Sequence, residues 1–448
     1  MSEDFLPIWG IVVGPSAKVA DATRLVKREV APVKHTANSA VNNSEKRPLR
    51  ILICLLYYVP HRTGYTIHVQ HVAEALAARG HEVTVLCARH SHDLPRDETV
   101  RGVRIVRLWA PIHMSRGMVM PAYPLALFEF MRRYDLIFTN TPMLETALVA
   151  LVAQITGKSV VSTHHGDLVL PPGFGNRVIS GIMFELFKFM ARRAHRLIAY
   201  SHDYADHSYY LLPFRDKVSV IYPPIKLPTP NSDRVALLRS QWSHNGGPII
   251  GYSGRFVQEK RPELLIQSLE VINQKYPNAR VVFAGQYDIP YENTWNLHQD
   301  IVQKYRDQLI FLGLLTDNQD MADFYAALDV MVLPSDTECF ALAQVEAMLC
   351  DTPVVMTNTP GGRVPVQETG MGLIVPRGDS QAIGRAVLDI LADPGRYHKS
   401  HDAILRTFNF DETISRYERH FWQAAAHSRV KLRDWAGERG QVDTSVEP

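Results

Sequence analysis

Short apolar runs alternate with segments of helical periodicity along most of the chain. Residues 51–56 are all apolar, as is typical of a strand that is buried on both faces. Apolar residues then recur at helical spacing over residues 69–77, Gly80 ends that helix, and residues 81–86 form the next strand. This order of elements predicts a βαβ unit.

The alternation continues to residue 221 and resumes at residue 249. Residues 222–231 carry four prolines, so they predict a stiff connection that is neither helix nor strand. The further elements predicted before it are strands 136–139, 159–163, 197–200 and 218–221 and helices 144–155 and 179–194. The strands predicted after it are 249–252, 280–284, 309–312, 330–333, 354–356 and 373–375. We therefore expect an α/β protein with two doubly wound, Rossmann-like domains.

The same pattern divides the chain into five segments. We expect a disordered extension at residues 1–48, α/β domains at residues 49–228 and 235–408, a helix at residues 409–427 and a polar tail at residues 428–448. In doubly wound sheets, ligands bind beyond the carboxyl ends of the strands. The loops that follow strands are therefore the places to look for chemistry.

Composition and charge exclude several classes of protein. Hydrophobic residues make up 46% and charged residues 21% of the chain, which is the mix of an ordinary soluble globular protein. The formal net charge of +2 gives no support to a nucleic-acid-binding function. No apolar run reaches the roughly 18 residues that span a bilayer, and the first residues lack the basic start of a secretory signal. The sequence favours a cytoplasmic protein.

Missing motifs narrow the chemistry further. The sequence contains no G-x-x-x-x-G-K-[ST] phosphate loop, no G-x-S-x-G nucleophile elbow and no D-x-D pair, and its histidines show no zinc-like spacing. The four cysteines form no C-x-x-C pair and are expected to be free thiols, as in a reducing compartment: Cys54, Cys87, Cys339 and Cys350.

Two glutamates follow the predicted strand 330–333. Glu338 and Glu346 lie eight positions apart with a helix starting between them, so their carboxylates are on the order of 10 Å apart. That distance approximates the distance from the hexose to the ribose of a nucleotide sugar. Carboxylates can accept hydrogen bonds from the vicinal hydroxyls of both sugars. Amides at the helix start, near residues 340–342, could face a diphosphate. Spacing alone fits two surface glutamates on an amphipathic helix better.

Two cations follow the first strand of the second domain. Arg255 and Lys260 lie on one strand-to-helix loop, where they could bind phosphate oxygens. Gly64 follows the first strand of the first domain, and glycine permits close backbone approach to a phosphate. Solvated loop cations and a plain turn glycine are the simpler alternatives.

Two weaker signals also follow strands. His165, with Asp167 nearby, could contact a sugar, although paired histidines are more often structural. Pro360, Gly361 and Gly362 form a glycine-rich turn, which needs no ligand to explain it.

Taken in order, these motifs resemble family 4 of the glycosyltransferases (glycosyl transferases group 1), retaining enzymes of the GT-B fold. The resemblance covers about residues 50–427 and is most specific over residues 330–362, which look like the donor-site signature. Residues 254–260 look like the diphosphate-binding turn, and residues 79–83 look like part of the first βαβ unit. The resemblance implies a GT-B architecture, in which two Rossmann-like domains face each other across a cleft.

The resemblance also implies the function. The chain would be a hexosyltransferase that uses a UDP- or GDP-linked sugar, with no metal and no cofactor. Residues 49–228 would be the acceptor domain, residues 235–408 the nucleotide-sugar domain, and residues 409–427 a helix crossing back to the first domain. Retention would come from same-face attack, with the departing phosphate taking the acceptor proton.

Each candidate residue receives a role from the same resemblance. Glu338 and His165 would be catalytic, and Glu346 would bind the ribose. The remaining implied contacts are Arg255, Lys260, Gly64 and Leu342 to the diphosphate, Glu338, Cys339, Phe340 and Ala341 to the donor sugar, and Gly313 and Leu314 to the base.

The chain departs from the family pattern at three glycine positions. The family usually has glycine where Thr63, Arg261 and Ala341 stand here. Arg363 follows the Gly-Gly pair, ahead of the place where many members carry an acidic residue.

The acceptor is the least specified partner. A glycan, a lipid-linked sugar and a small molecule all remain open. Residues 182–193 and 118–130 are strongly apolar and could lie against a membrane surface, although a helix buried on the sheet is the simpler interpretation. Two other functions stay open: another GT-B enzyme, such as a nucleotide-sugar epimerase or a phosphorylase, and a nucleotide-sugar-binding protein without turnover.

Overall fold

Two largely parallel β-sheets, connected by helices, organise the chain. The computed structural model describes residues 47–114, 117–168, 173–289 and 293–439. The disorder expected for residues 1–48 falls almost wholly outside the described residues.

The first sheet forms from residues 50–220. The strands of this half are β1 Arg50–Cys54, β2 Glu82–Ala88, β3 Asp97–Val100, β4 Val103–Leu108, β5 Ile112–Met114, β6 Gly117–Val119, β7 Leu136–Thr141, β8 Val160–His164, β9 Arg196–Ala199 and β10 Val218–Val220. The sheet has the order β10-β9-β8-β7-β1-β2-β4-β3, while β5 and β6 form a separate hairpin. Strand β3 is antiparallel to β4, and the other neighbours in the sheet are parallel.

Helices on both faces bury this sheet. They are α1 Gly64–Ala78, α2 Tyr123–Arg133, α3 Thr146–Ile155, α4 Phe174–Arg193 and α5 His202–His207. Alternate residues of β1 enter different cores, because Ile51 and Ile53 pack with α1 whereas Leu52 and Cys54 pack with α2 and α3. A strand buried on both faces needs apolar residues at every position, which explains the continuous apolar run in the sequence.

The second sheet forms from residues 249–375 and is parallel throughout its described strands. Its strands are β11 Ile249–Ser253, β12 Arg280–Ala284, β13 Leu309–Gly313, β14 Val330–Leu333, β15 Val354–Thr357 and β16 Gly372–Val375, in the order β13-β12-β11-β14-β15-β16. Its helices are α6 Ser232–Trp242, α7 Pro262–Ile272, α8 Thr294–Leu297, α9 Gln299–Lys304, α10 Asn318–Ala326, α11 Leu342–Leu349, α12 Val364–Thr369, α13 Ser380–Ala392, α14 Pro394–Tyr397 and α15 His401–Thr407. The prediction of an α/β protein with two doubly wound sheets is confirmed.

A long last helix, α16 Phe410–Arg439, packs on the first sheet. It contacts α1, β7 and β8, and its residue Tyr417 forms hydrogen bonds with His68 (3.0 Å) and Thr163 (3.2 Å). Glu418 accepts hydrogen bonds from Arg79 (2.8 Å) and His81 (3.1 Å). The last described helix is therefore tied to the first sheet.

The structure differs from the sequence prediction in three segments. The α16 helix continues through residues 428–439, which we expected to be tail, because Lys, Arg, Ala and Glu favour helix and no proline interrupts it. Helix α4 starts at Phe174 rather than at residue 179. Strands β3, β5 and β6 were not predicted, because strands of three or four residues leave little periodicity to detect. The six-residue strand β4 and helix α2 were also not predicted.

Candidate active site at the carboxyl ends of the two sheets

Each sheet has a point where the strand order reverses, at β1 in the first and at β11 in the second. Such points open a crevice beyond the carboxyl ends of the strands. The loop after β1 leads to Gly64, the loop after β11 carries Arg255 and Lys260, and the loop after β14 carries Glu338. The predicted site residues therefore follow strands at or beside the two reversal points.

The loop after β14 ends in an unusual backbone conformation. Ala341 has φ 58° and ψ 77°, in the left-handed region, and α11 starts at Leu342 directly after it. The first N–H groups of a helix have no acceptor within the helix, so they are available to an anion. A Cβ atom on Gly64 would lie 3.6 Å from the Leu342 side chain. The structure thus brings together Gly64 and Leu342, one from each half of the chain.

Glu338 and Lys260 form an ion pair. The Lys260 ammonium donates to Glu338 Oε1 at 2.5 Å, and the Ser335 hydroxyl donates to the same oxygen at 2.9 Å. The Glu338 side chain is only 9% exposed, compared with 26% for Lys260. Two residues predicted from separate motifs, 78 positions apart, therefore meet at one place.

The glycine-rich turn supports the Glu338 loop. Glu338 and Gly361 form a parallel β-bridge, and a Cβ atom on Gly361 would lie 2.4 Å from the backbone oxygen of Cys339. At Gly362 a Cβ atom would lie 2.9 Å from the Glu338 Cβ. These glycines are needed for close packing of two backbones, so their role here is to position Glu338.

Glu346 lies on α11, one turn beyond Leu342. Its Oε2 accepts a hydrogen bond of 2.8 Å from the Tyr325 hydroxyl, which is also 3.1 Å from Ser253 Oγ. Burial raises the pKa of Glu346, and the Tyr325 hydrogen bond and the charge of Arg62 oppose that rise. Arg62 belongs to the first half of the chain, and no motif in the sequence identifies it as a site residue.

Arg255 follows β11 and the predicted base-binding residues lie at the end of β13, two strands that β12 separates in the sheet. The Arg255 side chain is 40% exposed, and its guanidinium lies 3.8 Å from a Glu259 carboxylate oxygen. Gly313 ends β13 with φ 73°, its carbonyl accepts from the Gly285 N–H at 2.7 Å, and Leu314 beside it is 59% exposed.

His165 is held in a neutral form. Its Nε2 lies 2.8 Å from Asn140 Oδ1, and its Nδ1 lies 2.5 Å from the Tyr200 hydroxyl. Burial lowers the pKa of His165 well below its ordinary value, and the nearby His68 and His164 lower it further. Because the amide oxygen only accepts, Nε2 donates to it and Nδ1 accepts from Tyr200.

Asp167, which the sequence places near His165, contacts His164. Its carboxylate lies 2.9 Å from His164 Nε2 and accepts hydrogen bonds from Ser208 Oγ (2.7 Å) and the Tyr209 N–H (3.1 Å). Adjacent residues of a strand point to opposite faces, so His164 and His165 have different partners. Asp167 ties the loop after β8 to the segment after α5.

Phe340 and Cys339, which the resemblance assigns to the donor sugar, lie in different surroundings. The Phe340 ring is fully buried against Tyr200, Tyr222 and Phe408, so its side chain does not line a sugar site. Burial raises the pKa of the Cys339 thiol to about 12, which leaves it protonated and unreactive. The Phe340 side chain is therefore withdrawn from solvent, whereas Cys339 is partly exposed.

Two polar contacts join the halves beside this site. Arg363 donates to both carboxylate oxygens of Asp203, at 2.5 and 2.9 Å, and the Gly361 N–H adds a third hydrogen bond at 2.8 Å. Arg62 donates to Asn318 Oδ1 at 2.6 Å. Neither contact was predicted from the sequence, because no local pattern links residues so distant in the chain.

Two searches of the described residues were negative. No group of three or more His, Cys, Asp or Glu side chains is arranged to hold a metal ion among them. Within the same residues, no helix is both long and apolar enough to cross a membrane.

Two family sequence models match the chain, one for each half. The model described as Glycosyltransferase Family 4 matches residues 62–227, and the model described as Glycosyl transferases group 1 matches residues 236–405. The chain is 27% identical to 2-deoxystreptamine N-acetyl-D-glucosaminyltransferase of Streptomyces fradiae, over 83% of this chain and 94% of that protein. It is 26% identical to glycogen synthase of Mycobacterium tuberculosis, over 87% of this chain and 96% of that protein.

Solved structures share the fold. Sucrose-phosphate synthase from Thermosynechococcus elongatus superposes with a TM-score of 0.69 at 24% identity, covering 84% of this chain and 99% of that one. The Anabaena protein HepE, in complex with UDP and glucose, gives a TM-score of 0.68 at 18% identity, covering 83% of this chain and 99% of that one. These are GT-B glycosyltransferases, so the predicted GT-B architecture is confirmed.

Proposed function

The chain belongs to family 4 of the glycosyltransferases, and from that premise we propose that it is a retaining hexosyltransferase. Its donor is a nucleotide-diphosphate sugar, linked to UDP or GDP, and its acceptor binds to the first half of the chain. The observation that carries the proposal is the meeting of Lys260 and Glu338 beside the start of α11, with Gly64 of the other half against Leu342.

The donor contacts follow from the chemistry of these groups. Glu338 accepts hydrogen bonds from hydroxyls of the donor sugar, and Glu346 accepts them from the ribose. The Lys260 ammonium and the Arg255 guanidinium bind the diphosphate, together with the N–H groups at the start of α11. Gly64 has no side chain, so the diphosphate can approach its backbone on the opposite side of the site. The base lies near Gly313 and Leu314.

The reaction needs charge stabilisation more than a protein base. As the bond from the anomeric carbon to the phosphate oxygen breaks, negative charge grows on the nucleoside diphosphate, where fixed cations are most effective. The acceptor hydroxyl attacks the same face, and the departing phosphate oxygen takes its proton. His165 has a lowered pKa and both nitrogens engaged, so it acts as a neutral positioning group beside the sugar.

We propose that neither a metal ion nor a cofactor takes part. The sequence lacks the D-x-D pair that usually holds a metal-bound nucleotide sugar, and Arg255 and Lys260 supply positive charge at the diphosphate instead. Transfer activity is therefore expected to survive EDTA, whereas a strict Mg²⁺ or Mn²⁺ requirement would contradict this part of the proposal.

Two variants test the donor site. Glu338→Gln should lower transfer from a radiolabelled donor by about a hundredfold or more and leave nucleoside-diphosphate binding intact, because it removes contacts to the reacting sugar. Glu346→Gln should instead weaken nucleoside-diphosphate binding by about tenfold, measured as a smaller rise in melting temperature. A wild-type panel of UDP and GDP sugars identifies the donor, and NMR of the product reports the anomer. Unchanged turnover of Glu338→Gln would refute its role.

We further propose that the protein is cytoplasmic and contacts a membrane surface. Helices α2, α3 and α4 pack side by side in the first half. Large apolar side chains are exposed along all three, namely Leu125, Phe128, Leu151, Ile155, Phe174, Val178, Ile179 and Ile182. The last turns of α2 and α4 carry arginines, namely Arg132, Arg133, Arg192 and Arg193. An apolar face with basic ends fits a bilayer containing anionic lipid.

A further inference from the structure

A group of buried and half-buried polar side chains lies near His165, outside the donor contacts described above. Three of its members have a buried polar atom with no hydrogen-bond partner among the described residues: Tyr65 Oη, Asn140 Nδ2 and Glu145 Oε2. Asn140 has no exposed surface. Buried polar atoms are almost always hydrogen-bonded, so such a group requires a partner that a ligand can supply.

These residues converge from separate elements of the first half. Tyr65 is in the first turn of α1, Asn140 is in β7 and Glu145 directly precedes α3. The Tyr65 ring lies 4.4 Å from the His165 ring, and Asn140 Oδ1 is 2.8 Å from His165 Nε2. The group therefore adjoins His165, which the proposed function places beside the donor sugar.

The charge of this group is not balanced. Burial raises the pKa of Glu145, and within the described part of the chain no Lys, Arg or His forms an ion pair with it. The Glu145 charge also raises the pKa of Tyr57, Tyr65 and Tyr123, so Glu145 lies within electrostatic range of all three hydroxyls. An unpaired carboxylate in such a place is costly, and a cation that binds there recovers much of that cost.

Resting on the proposed glycosyltransferase activity, we infer that this group is the acceptor subsite and that it takes an amino sugar or an aminocyclitol. The protonated amine of the acceptor pairs with Glu145. The Asn140 Nδ2 and Tyr65 Oη bond to ring hydroxyls, which supplies the partners that both atoms lack. The same carboxylate disfavours an acceptor that carries a phosphate at this position, because two anions would then be buried together.

Matched amine and hydroxyl ligands test the inference. Calorimetry on the full-length protein with saturating nucleoside diphosphate compares 2-deoxystreptamine with myo-inositol, and glucosamine with glucose. The amine of at least one pair is expected to bind about tenfold more tightly than its neutral counterpart, as a charge-assisted hydrogen bond provides. Glu145→Gln should abolish that preference, whereas Glu145→Asp should keep it.

The control is Glu129→Gln, an exposed carboxylate on α2, which should leave the preference unchanged. Equal binding of both members of each pair, no binding of either amine, or a preference that survives in Glu145→Gln overturns the inference. Failure of every nucleoside diphosphate to raise the melting temperature would instead reject the proposed function itself, so the two failures are distinguishable.

Discussion

At the scale of single residues, the departures from the family's glycines have a structural explanation. Arg261 (φ 49°) and Ala341 (φ 58°) both adopt the left-handed conformation that glycine adopts most easily. Arg261 forms ion pairs with Glu263 and Asp336, which offset its backbone cost. Thr63 differs, because it has an extended backbone and caps α1 through a hydrogen bond from the Thr66 N–H. The chain therefore keeps the glycine geometry at two of the three positions.

Ala341 has no such compensation and is expected to be strained. The left-handed conformation costs a residue with a Cβ roughly 1–2 kcal/mol, and glycine's extra freedom in the unfolded chain returns about 0.4–1 kcal/mol of that. Ala341→Gly should therefore raise the free energy of unfolding by about 0.5–1 kcal/mol, measured by urea denaturation. Arg261→Gly is the matched control and should give no gain, since it loses two ion pairs. A less stable Ala341→Gly protein would show that the strain argument is wrong.

At the scale of elements, the contact between α5 and the start of α12 joins the two halves beside Glu338. Burial opposes ionisation of Asp203, but hydrogen bonds from Arg363 and the Gly361 N–H outweigh it and lower its pKa. The pair is bidentate, and each side chain is roughly one-fifth exposed. Such geometry makes it stronger than an ordinary surface ion pair.

We expect this ion pair to hold the two halves of the chain together when the nucleotide sugar is bound and used. Arg363→Gln and Asp203→Asn should each raise the KM for the nucleotide sugar several-fold. In a double-mutant cycle on kcat/KM, the two changes together should cost little more than either alone, with a coupling of about 1 kcal/mol. Strictly additive effects would show that the contact plays no part in the reaction. The exposed Arg385→Gln variant, in α13, serves as the control.

The exposed apolar face of α4 belongs to the same scale. Replacing Ile179 and Ile182 by serine should remove most binding to vesicles of anionic lipid in a flotation assay, and high salt should weaken the wild-type binding because the basic helix ends contribute. Leu237→Ser, on α6 of the second half, is the control for loss of an exposed apolar side chain. Wild-type protein that stays unbound at low salt would reject the membrane contact.

At the scale of the whole molecule, α16 closes the chain onto its first sheet through Glu418. Burial opposes its ionisation, yet hydrogen bonds from Arg79 and His81 lower its pKa below the ordinary value of 4.5. A depressed carboxylate pKa stabilises the folded state above the unfolded pKa. That contribution is lost as the pH falls through the folded pKa.

Glu418→Gln should therefore lower the melting temperature at pH 7, and the difference from wild type should shrink once the pH falls below about 4.5. Parallel thermal melts of the two proteins between pH 3 and pH 7 measure this. Glu412→Gln, on the exposed first turn of the same helix, should change little at any pH. A difference that stays constant across this range would show that the Glu418 charge does not hold the helix in place.

Much of the fold was predictable, because each sheet buries both faces of its central strands. The runs at residues 51–56 and 330–333 admit few other interpretations, and both are strands in the structure. Strands β3, β5 and β6 were not predicted, since they have only three or four residues. The predicted end of the last helix at residue 427 was wrong, because a polar sequence limits burial but does not by itself end a helix.

Sequence by itself determined the architecture and the set of loops that carry chemistry, because burial periodicity and glycine-rich turns are local properties. Tertiary structure alone decided which side chains meet. In the folded protein Lys260 forms an ion pair with Glu338, and Asp167 contacts His164. Phe340 is buried among aromatic rings. The contact of Arg363 with Asp203 joins residues 160 positions apart. Contacts between residues so far apart depend on how the two sheets pack, and no local pattern of residues predicts that packing.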